Sequence, residues 1–222
     1  MKLVLFGASG MIGQGVLREA LLADDVTEVL VVGRSPLGRQ HPKLRELVHR
    51  DFTDFSSVQG QLTGYDVCAW CLGVASSGMS EADYTRVTYD YTMAAAKVLL
   101  SVNPQLVFLF VSGASTDSTE KGKVMWARVK GRTENALLAM PFKGSYMFRP
   151  GFIRPMNGET SRTPAYRWFY LLARPLFPLV ERLWPRVASN TESIGRAMLN
   201  LARHGFDKRI LEPLDINAAA EP

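Results

Sequence analysis

The stretch that most constrains this chain is KLVLFGASGMIGQG, at residues 2–15. Leu3 to Phe6 is a short apolar run suited to a buried strand. Glycines follow at Gly7, Gly10 and Gly13, and a helix-like segment occupies 16–22. A strand, a glycine turn and a helix N-terminus together make an anion site. Gly7 permits the turn, Gly10 lets backbone N–H groups approach a pyrophosphate, Gly13 lets the helix pack close to the strand, and the helix dipole favours the phosphate charge. The spacing is G-x-x-G-x-x-G, which departs from the G-x-G-x-x-G of the general dinucleotide fingerprint. Its place directly behind an N-terminal strand argues for a dinucleotide site over an ordinary glycine-rich turn, with Gly7, Ser9, Gly10, Met11, Ile12 and Gly13 facing the phosphates.

A second apolar strand, VTEVLVVG at 26–33, ends in Gly33-Arg34-Ser35. That lies about 20 residues beyond the motif, where a dinucleotide fold reads the adenosine ribose. No acid stands there. An Asp or Glu would accept from the 2′-OH of NAD and repel a 2′-phosphate, whereas Arg34 can donate a charged fork to it, with Ser35 and Arg39 adding donors. The expectation is NADP(H) in preference to NAD(H); the bland alternative is a solvated loop arginine. After a short strand at Leu44–Val48, Asp51 and Phe52 stand where such a fold faces the adenine, or where a polar turn simply accepts an Asp. A fourth strand within 62–73 delivers Leu72 and Gly73.

Residues 81–102 form a long helical pattern, with Tyr84, Val87, Tyr91, Ala95, Val98 and Leu99 spaced for one buried face and Pro104 marking the end. The apolar strand at 106–111 brings Ser112, Gly113, Ala114 and Ser115 to the carboxyl edge, where open α/β sheets bind ligands. A helix at 124–140 and a strand at 145–148 lead into Arg149, Pro150 and Gly151. This alternation predicts an α/β, doubly wound parallel sheet, Rossmann-like, with a helical C-terminal elaboration. The chain reads as a single domain, 1–222, whose portion from about 154 forms the substrate side or lid. The aromatic and basic segment 166–186 carries Pro175, Pro178 and Pro185, which rule out one long helix. It suits a lid, an oligomer contact or a peripheral membrane anchor. Residues 189–191 look like the cap of a helix at 194–203, stopped by Gly205.

The formal net charge of +5 is modest, and its Lys and Arg are scattered among acids. An anionic cofactor explains the balance, and no nucleic-acid partner is expected. The N-terminus lacks a basic n-region followed by an apolar stretch, and no window is apolar enough to span a bilayer, so a cytoplasmic location is expected. Cys68 and Cys71 form a C-x-x-C inside an apparent strand, where an odd offset places the side chains on opposite faces. His41, His49 and His204 have no metal-like spacing, and no metal is expected.

With these residues in hand, the sequence resembles the short-chain dehydrogenase/reductase superfamily, specifically its atypical, epimerase-like branch of small NADP-binding proteins that includes the Tat-interacting protein 30 oxidoreductase. CLG at 71–73, RVTYDY at 86–91, VKG at 129–131, FRPG at 148–151 and RAMLN at 196–200 fall in the family's order. The resemblance implies NADP(H) binding at the glycine turn, Lys130 and the Arg149-Pro150-Gly151 turn, and a small-molecule substrate. It also implies a Tyr-x-x-x-Lys pair, with a serine at the preceding strand end, for hydride chemistry. Lys binds the nicotinamide ribose and lowers the phenol's pKa, Tyr exchanges a proton with the substrate, and Ser holds the substrate oxygen. The lysine matches as Lys130. Four residues earlier stands Trp126, whose indole has no proton to exchange near neutral pH. Ser112 ends the strand, while the family's serine can also fall on Gly113 or Ala114, with Ser115 as neighbour. Tyr89, Tyr91 and Tyr146 are substitute candidates if they lie at the carboxyl edge. Two functions therefore stand open: an oxidoreductase- or epimerase-like enzyme, and a non-catalytic NADP(H)-sensing regulator or scaffold.

Overall fold

The computed structural model describes residues 1–159 and 188–221. The aromatic and basic segment 166–186 lies outside the described residues. Seven strands form one sheet: β1 (Lys2–Phe6), β2 (Glu28–Gly33), β3 (Leu44–Val48), β4 (Val67–Trp70), β5 (Val107–Val111), β6 (Gly144–Phe148) and β9 (Ile210–Leu211), in the order β3-β2-β1-β4-β5-β6-β9. Every pairing is parallel. Parallel strands covered on both faces need continuous apolar runs, and β1, β4 and β5 supply them.

Side-chain alternation divides the core in two. Leu3, Leu5, Val29, Val31, Val67, Ala69, Val107 and Leu109 face one side. There they meet α1 (Met11–Leu22), α5 (Thr191–His204) and α6 (Pro213–Ala219). Val4, Phe6, Leu30, Val32, Cys68, Trp70, Phe108 and Phe110 face the other, against α3 (Tyr91–Val102) and α4 (Met125–Ala139). The expected doubly wound sheet is borne out. Cys68 lies in one core half and Cys71 packs against the other, so the two thiols do not share a face. Burial pushes both thiol pKa values up.

Helix α1 starts at Met11, five residues earlier than helical periodicity suggests. Gly13 and Gly15 lower helix propensity there, yet both are needed for packing. A Cβ on Gly15 would lie 2.6 Å from the Thr191 carbonyl oxygen, so α5 crosses α1 at backbone distance. Helix α5 opens on Asn190, whose side chain accepts from Ser193 N–H while Ser193 accepts from Asn190 N–H, and it ends at Gly205 with φ 72°. The 81–102 helix is continuous but not uniform: α2 (Glu81–Thr85) passes through a π-helical turn, Arg86–Asp90, into α3. Strand β9 is only two residues long, too short for a side-chain period to mark it in the sequence. A second small sheet pairs β7 (Phe152–Arg154) with β8 (Ala188–Asn190). Among the described residues, no helix is long and apolar enough to cross a membrane.

Candidate functional site

Strand order reverses between β1 and β4, which opens a crevice at their carboxyl ends. Gly7 sits in that crevice at φ 77°, and a Cβ on it would lie 2.5 Å from the Cys71 carbonyl carbon. Only glycine fits, by dihedral and by space. Gly10 N–H donates to the Gly7 carbonyl at 2.9 Å and so closes the turn. A Cβ on Gly13 would fall 2.2 Å from that same carbonyl oxygen, so the first turn of α1 rests directly on the strand end. Gly10 is the N-cap, no side chain caps the helix, and no acid occupies its first turn. The N–H groups of Met11, Ile12 and Gly13 thus belong to a helix start with no protein cap, which suits a pyrophosphate. Ser9 holds the turn from outside, its carbonyl accepting from Gln14 Nε2 at 3.1 Å.

On the adenosine side, Arg34, Ser35 and Arg39 are all exposed beyond the end of β2. Glu46, on β3, turns to the loop that follows Ser35, its Oε2 accepting from Leu37 N–H at 2.6 Å. Asp51 is exposed, and its Oδ1 accepts from the Thr53 N–H and hydroxyl, which hold its carboxyl below the usual range. The side chain of Phe52 is buried with Phe6, Phe55 and Tyr91, so only its backbone can face a ligand. Leu72 is half-buried and Gly73 exposed, with nothing within 4 Å of where a Gly73 Cβ would stand.

The carboxyl edge of β5 is where the arrangement departs from a proton-transfer site. Lys130 reaches it from α4, its Nζ donating to the Val111 carbonyl at 3.1 Å and lying 5.2 Å from the Phe110 ring centre. Desolvation lowers its pKa to about 8, although Glu134 one turn on opposes the shift. Ser112 is buried beside it, with Oγ 2.9 Å from Thr116 Oγ1. Thr116 donates its own proton to the Gly113 carbonyl at 2.7 Å. In this arrangement Ser112 is the donor to Thr116, and its hydroxyl would have to turn away from Thr116 to serve a substrate oxygen. The residue opposite Trp126 is Gly113, since a Cβ there would meet the indole Cζ3 at 3.6 Å. Ser115 is exposed with φ 67°, one of two non-glycine residues at positive φ among those described.

Arg149 is committed to protein. Its Nε donates to Glu134 Oε1 at 3.0 Å, its second guanidinium arm to Glu134 and Ser118, and its first to Glu212 Oε1 at 3.4 Å. Glu134 has no solvent exposure, and its carboxylate raises the Arg149 pKa. This ion pair ties the end of β6 to α4, to the Ser118 loop and to the residue that caps α6. Pro150 supplies a carbonyl to Ala114 N–H at 3.1 Å, joining the β5 and β6 ends, and Gly151 is half-buried beside it.

The substitute tyrosines fare differently. Tyr146 points to the amino edge, its hydroxyl accepting from Phe206 N–H at 3.2 Å just past the end of α5, so it does not reach the carboxyl edge. Tyr91 packs on Phe52, and Tyr89 lies under the Arg132 guanidinium at 4.2 Å. Thr116, which decides the role of Ser112, has no signal in the sequence beyond a Ser-x-x-x-Thr spacing. His49 is buried, with Nε2 2.8 Å from the Asp54 carbonyl.

No protein-family model matches the chain. It is 26% identical over 200 residues to the protein HTATIP2 of Rattus norvegicus, covering 88% of this chain and 78% of that one. It is 24% identical over 206 residues to the mitochondrial protein fmp52 of Emericella nidulans, covering 90% and 86%. Among solved structures, the Bordetella bronchiseptica enzyme WbmF in complex with NAD+ matches with a TM-score of 0.69 at 15% identity, covering 98% of this chain and 76% of that one. At that identity the likeness is one of fold. The cytoplasmic expectation is overturned, because the Fmp52 relatives are designated mitochondrial. That expectation rested on the N-terminal residues, which do not decide a compartment.

Proposed function

We propose that the chain, whose homologues include HTATIP2 and the Fmp52 proteins of the atypical short-chain dehydrogenase/reductase family, is an NADP(H)-binding protein of oxidoreductase- or epimerase-like build. One observation carries the reading: an uncapped helix start on a glycine cradle that no Cβ could enter, beside a β2 end that presents Arg34 and no acid. In this reading Gly7, Ser9, Gly10, Met11, Ile12 and Gly13 hold the pyrophosphate. Arg34 and Ser35 take the 2′-phosphate, while Asp51, Leu72, Gly73 and the Phe52 backbone border the adenosine.

A bound nicotinamide cofactor would supply or accept a hydride. Lys130, fixed at the end of β5 by the Val111 carbonyl, would hold the hydroxyls of the nicotinamide ribose. Proton exchange needs a group with a pKa near the working pH. Trp126 has none, Gly113 has no side chain, and the Ser112 proton is committed to Thr116. Lys130, lowered to about 8, is in range. The Trp126–Gly113 pairing also favours a second reading, in which NADP(H) is sensed and the output passes through a partner without turnover.

The test is titration of the full chain with NADPH and NADH, followed by nicotinamide fluorescence and repeated on Arg34→Ala. NADPH should bind about tenfold or more tighter than NADH, and Arg34→Ala should remove the difference. Equal or absent binding of the two would sink the reading. Turnover of a carbonyl panel by the wild type would favour the enzyme. Turnover only by the Trp126→Tyr/Gly113→Ser double variant would favour the sensor.

A further inference from the structure

We propose that Arg50 is the second arm of a two-guanidinium clamp which, with Arg34, takes the adenosine 2′-phosphate of NADP(H); the proposal rests on the NADP(H) reading above. Strand β3 runs parallel to β2 with Val48 abreast of Gly33, and the ladder continues one step beyond both strands through His49 N–H to the Gly33 carbonyl at 2.9 Å. Arg34 therefore stands abreast of His49, and Arg50 follows one residue on. With strands about 4.8 Å apart and a rise of about 3.3 Å per residue, the two arginine α-carbons are on the order of 6 Å apart. Arg50 is one residue out of phase with Arg34, so the two side chains leave opposite faces of the ladder and converge on one phosphate by reaching past the carboxyl ends of the two strands, beyond which both residues lie.

Both arginines are exposed, and among the described residues neither has an ion pair or hydrogen bond. The acids around them are engaged elsewhere. Asp51 accepts from Thr53, Asp54 from the Ser56 N–H and hydroxyl, and Glu46 from Leu37 N–H. Glu28, farther down β2, accepts from Tyr65 and pairs with Arg45 and Lys2. Two cations on neighbouring strand ends that no carboxylate pairs with directly repel each other, and a dianion between them removes that cost.

The backbone that carries Arg50 is fixed on both sides. His49 is buried, with its ring centre 4.9 Å from that of Phe55 and its Nε2 on the Asp54 carbonyl, and Phe52 is buried two residues later. A rigid base with a free arm is what a phosphate clamp needs. Arg39 lies in the same loop as Arg34, but five residues farther on and beyond Gly38, and no ladder bond fixes it. The position also fits the ligand. Strand β2 is the immediate neighbour of β1, so the two arginines sit beside the cradle on the side away from β4 and β5.

The experiment is calorimetric titration of the full chain and of Arg50→Ala, Arg50→Lys, Arg34→Ala and the double alanine variant. The probes are NADPH, NADH, adenosine 2′,5′-bisphosphate, adenosine 5′-monophosphate and inorganic phosphate. Arg50→Ala should weaken NADPH and the 2′,5′-bisphosphate about tenfold or more, leave NADH and the monophosphate within about twofold, and be partly rescued by lysine. The two alanine losses should be less than additive, since both arms hold one phosphate. A loss with Arg34→Ala but none with Arg50→Ala would overturn the clamp while keeping the NADP(H) reading. Equal weakening of NADPH and NADH by Arg50→Ala would overturn it too, since Arg50 would then serve the adenosine or the fold. Equal wild-type affinity for NADPH and NADH would remove the reading beneath both. Inorganic phosphate binding with no preference for the 2′,5′-bisphosphate over the monophosphate would also overturn the clamp.

Discussion

The cradle at β1 and α1 and the edge at β5 and α4 face the same crevice, but they depend on different parts of the residue. The cradle is built from backbone: a turn closed by Gly10 N–H on the Gly7 carbonyl, and a helix start with no side-chain cap. The β5 edge depends on side chains, and there the chain presents Trp126, Gly113 and a Ser112 whose proton is already committed. Dinucleotide binding through main-chain N–H groups survives changes of side chain, whereas proton transfer does not. The first half therefore tolerates changes of side chain that the second does not.

Two glycines give the sharpest way to break this comparison. Gly13→Ala drives a methyl group to 2.2 Å from a backbone oxygen, so strand and helix must separate. A loss of about 3 kcal/mol or more is expected by denaturant unfolding, together with loss of NADPH binding. Gly113→Ala places its methyl 3.6 Å from Trp126 in ordinary contact, and should change stability by less than about 1 kcal/mol. Equal effects at the two positions would mean that the β5 edge is as tightly built as the cradle.

Glu134→Ala tests what holds the β5 edge in place. The carboxylate is fully buried and takes two bonds from Arg149, so its removal strands a cation that also reaches Ser118 and Glu212. A loss of about 3 kcal/mol is expected, at the lower end for a broken buried pair because Glu212 remains. NADPH affinity, corrected for the folded fraction, should fall much less than with Gly13→Ala.

The cradle was legible in the sequence because its causes are local. Gly7, Gly10 and Gly13 each answer to a neighbour a few residues away or to the next strand, and apolar runs such as VFLFV at β5 identify central strands without further context. The β5 edge was legible only in part. That Trp126 stands four residues before Lys130, where the family resemblance implies a tyrosine, is visible in the sequence, but that Gly113 faces it and that Thr116 takes the Ser112 proton depend on how a loop folds. Arg149 illustrates the same limit. Its Arg-Pro-Gly context pointed to the cofactor, while its partner Glu134 comes from a helix 15 residues earlier. Strand β9 is held by pairing with β6, a contact about sixty residues away in sequence that no local period encodes.

Lys130 sharpens the comparison by the smallest effect, since it is the group of the β5 edge whose pKa is shifted towards neutrality. Its folded pKa, about 8, lies below that of a lysine in an unfolded chain. Between those two values the unfolded state binds more protons, so this residue's contribution to stability grows as pH rises through that window. Below pH 8 both states are protonated, and the full cost of burying the ammonium is present. Lys130→Met removes that cost along with the bond to the Val111 carbonyl. The melting temperature of the variant relative to wild type should therefore be highest near pH 7 and fall as pH climbs from 8 to 10, even if the variant is the less stable protein throughout. A pH-independent difference would place the Lys130 pKa at its ordinary value and remove from the enzyme reading the group proposed to exchange a proton near neutral pH.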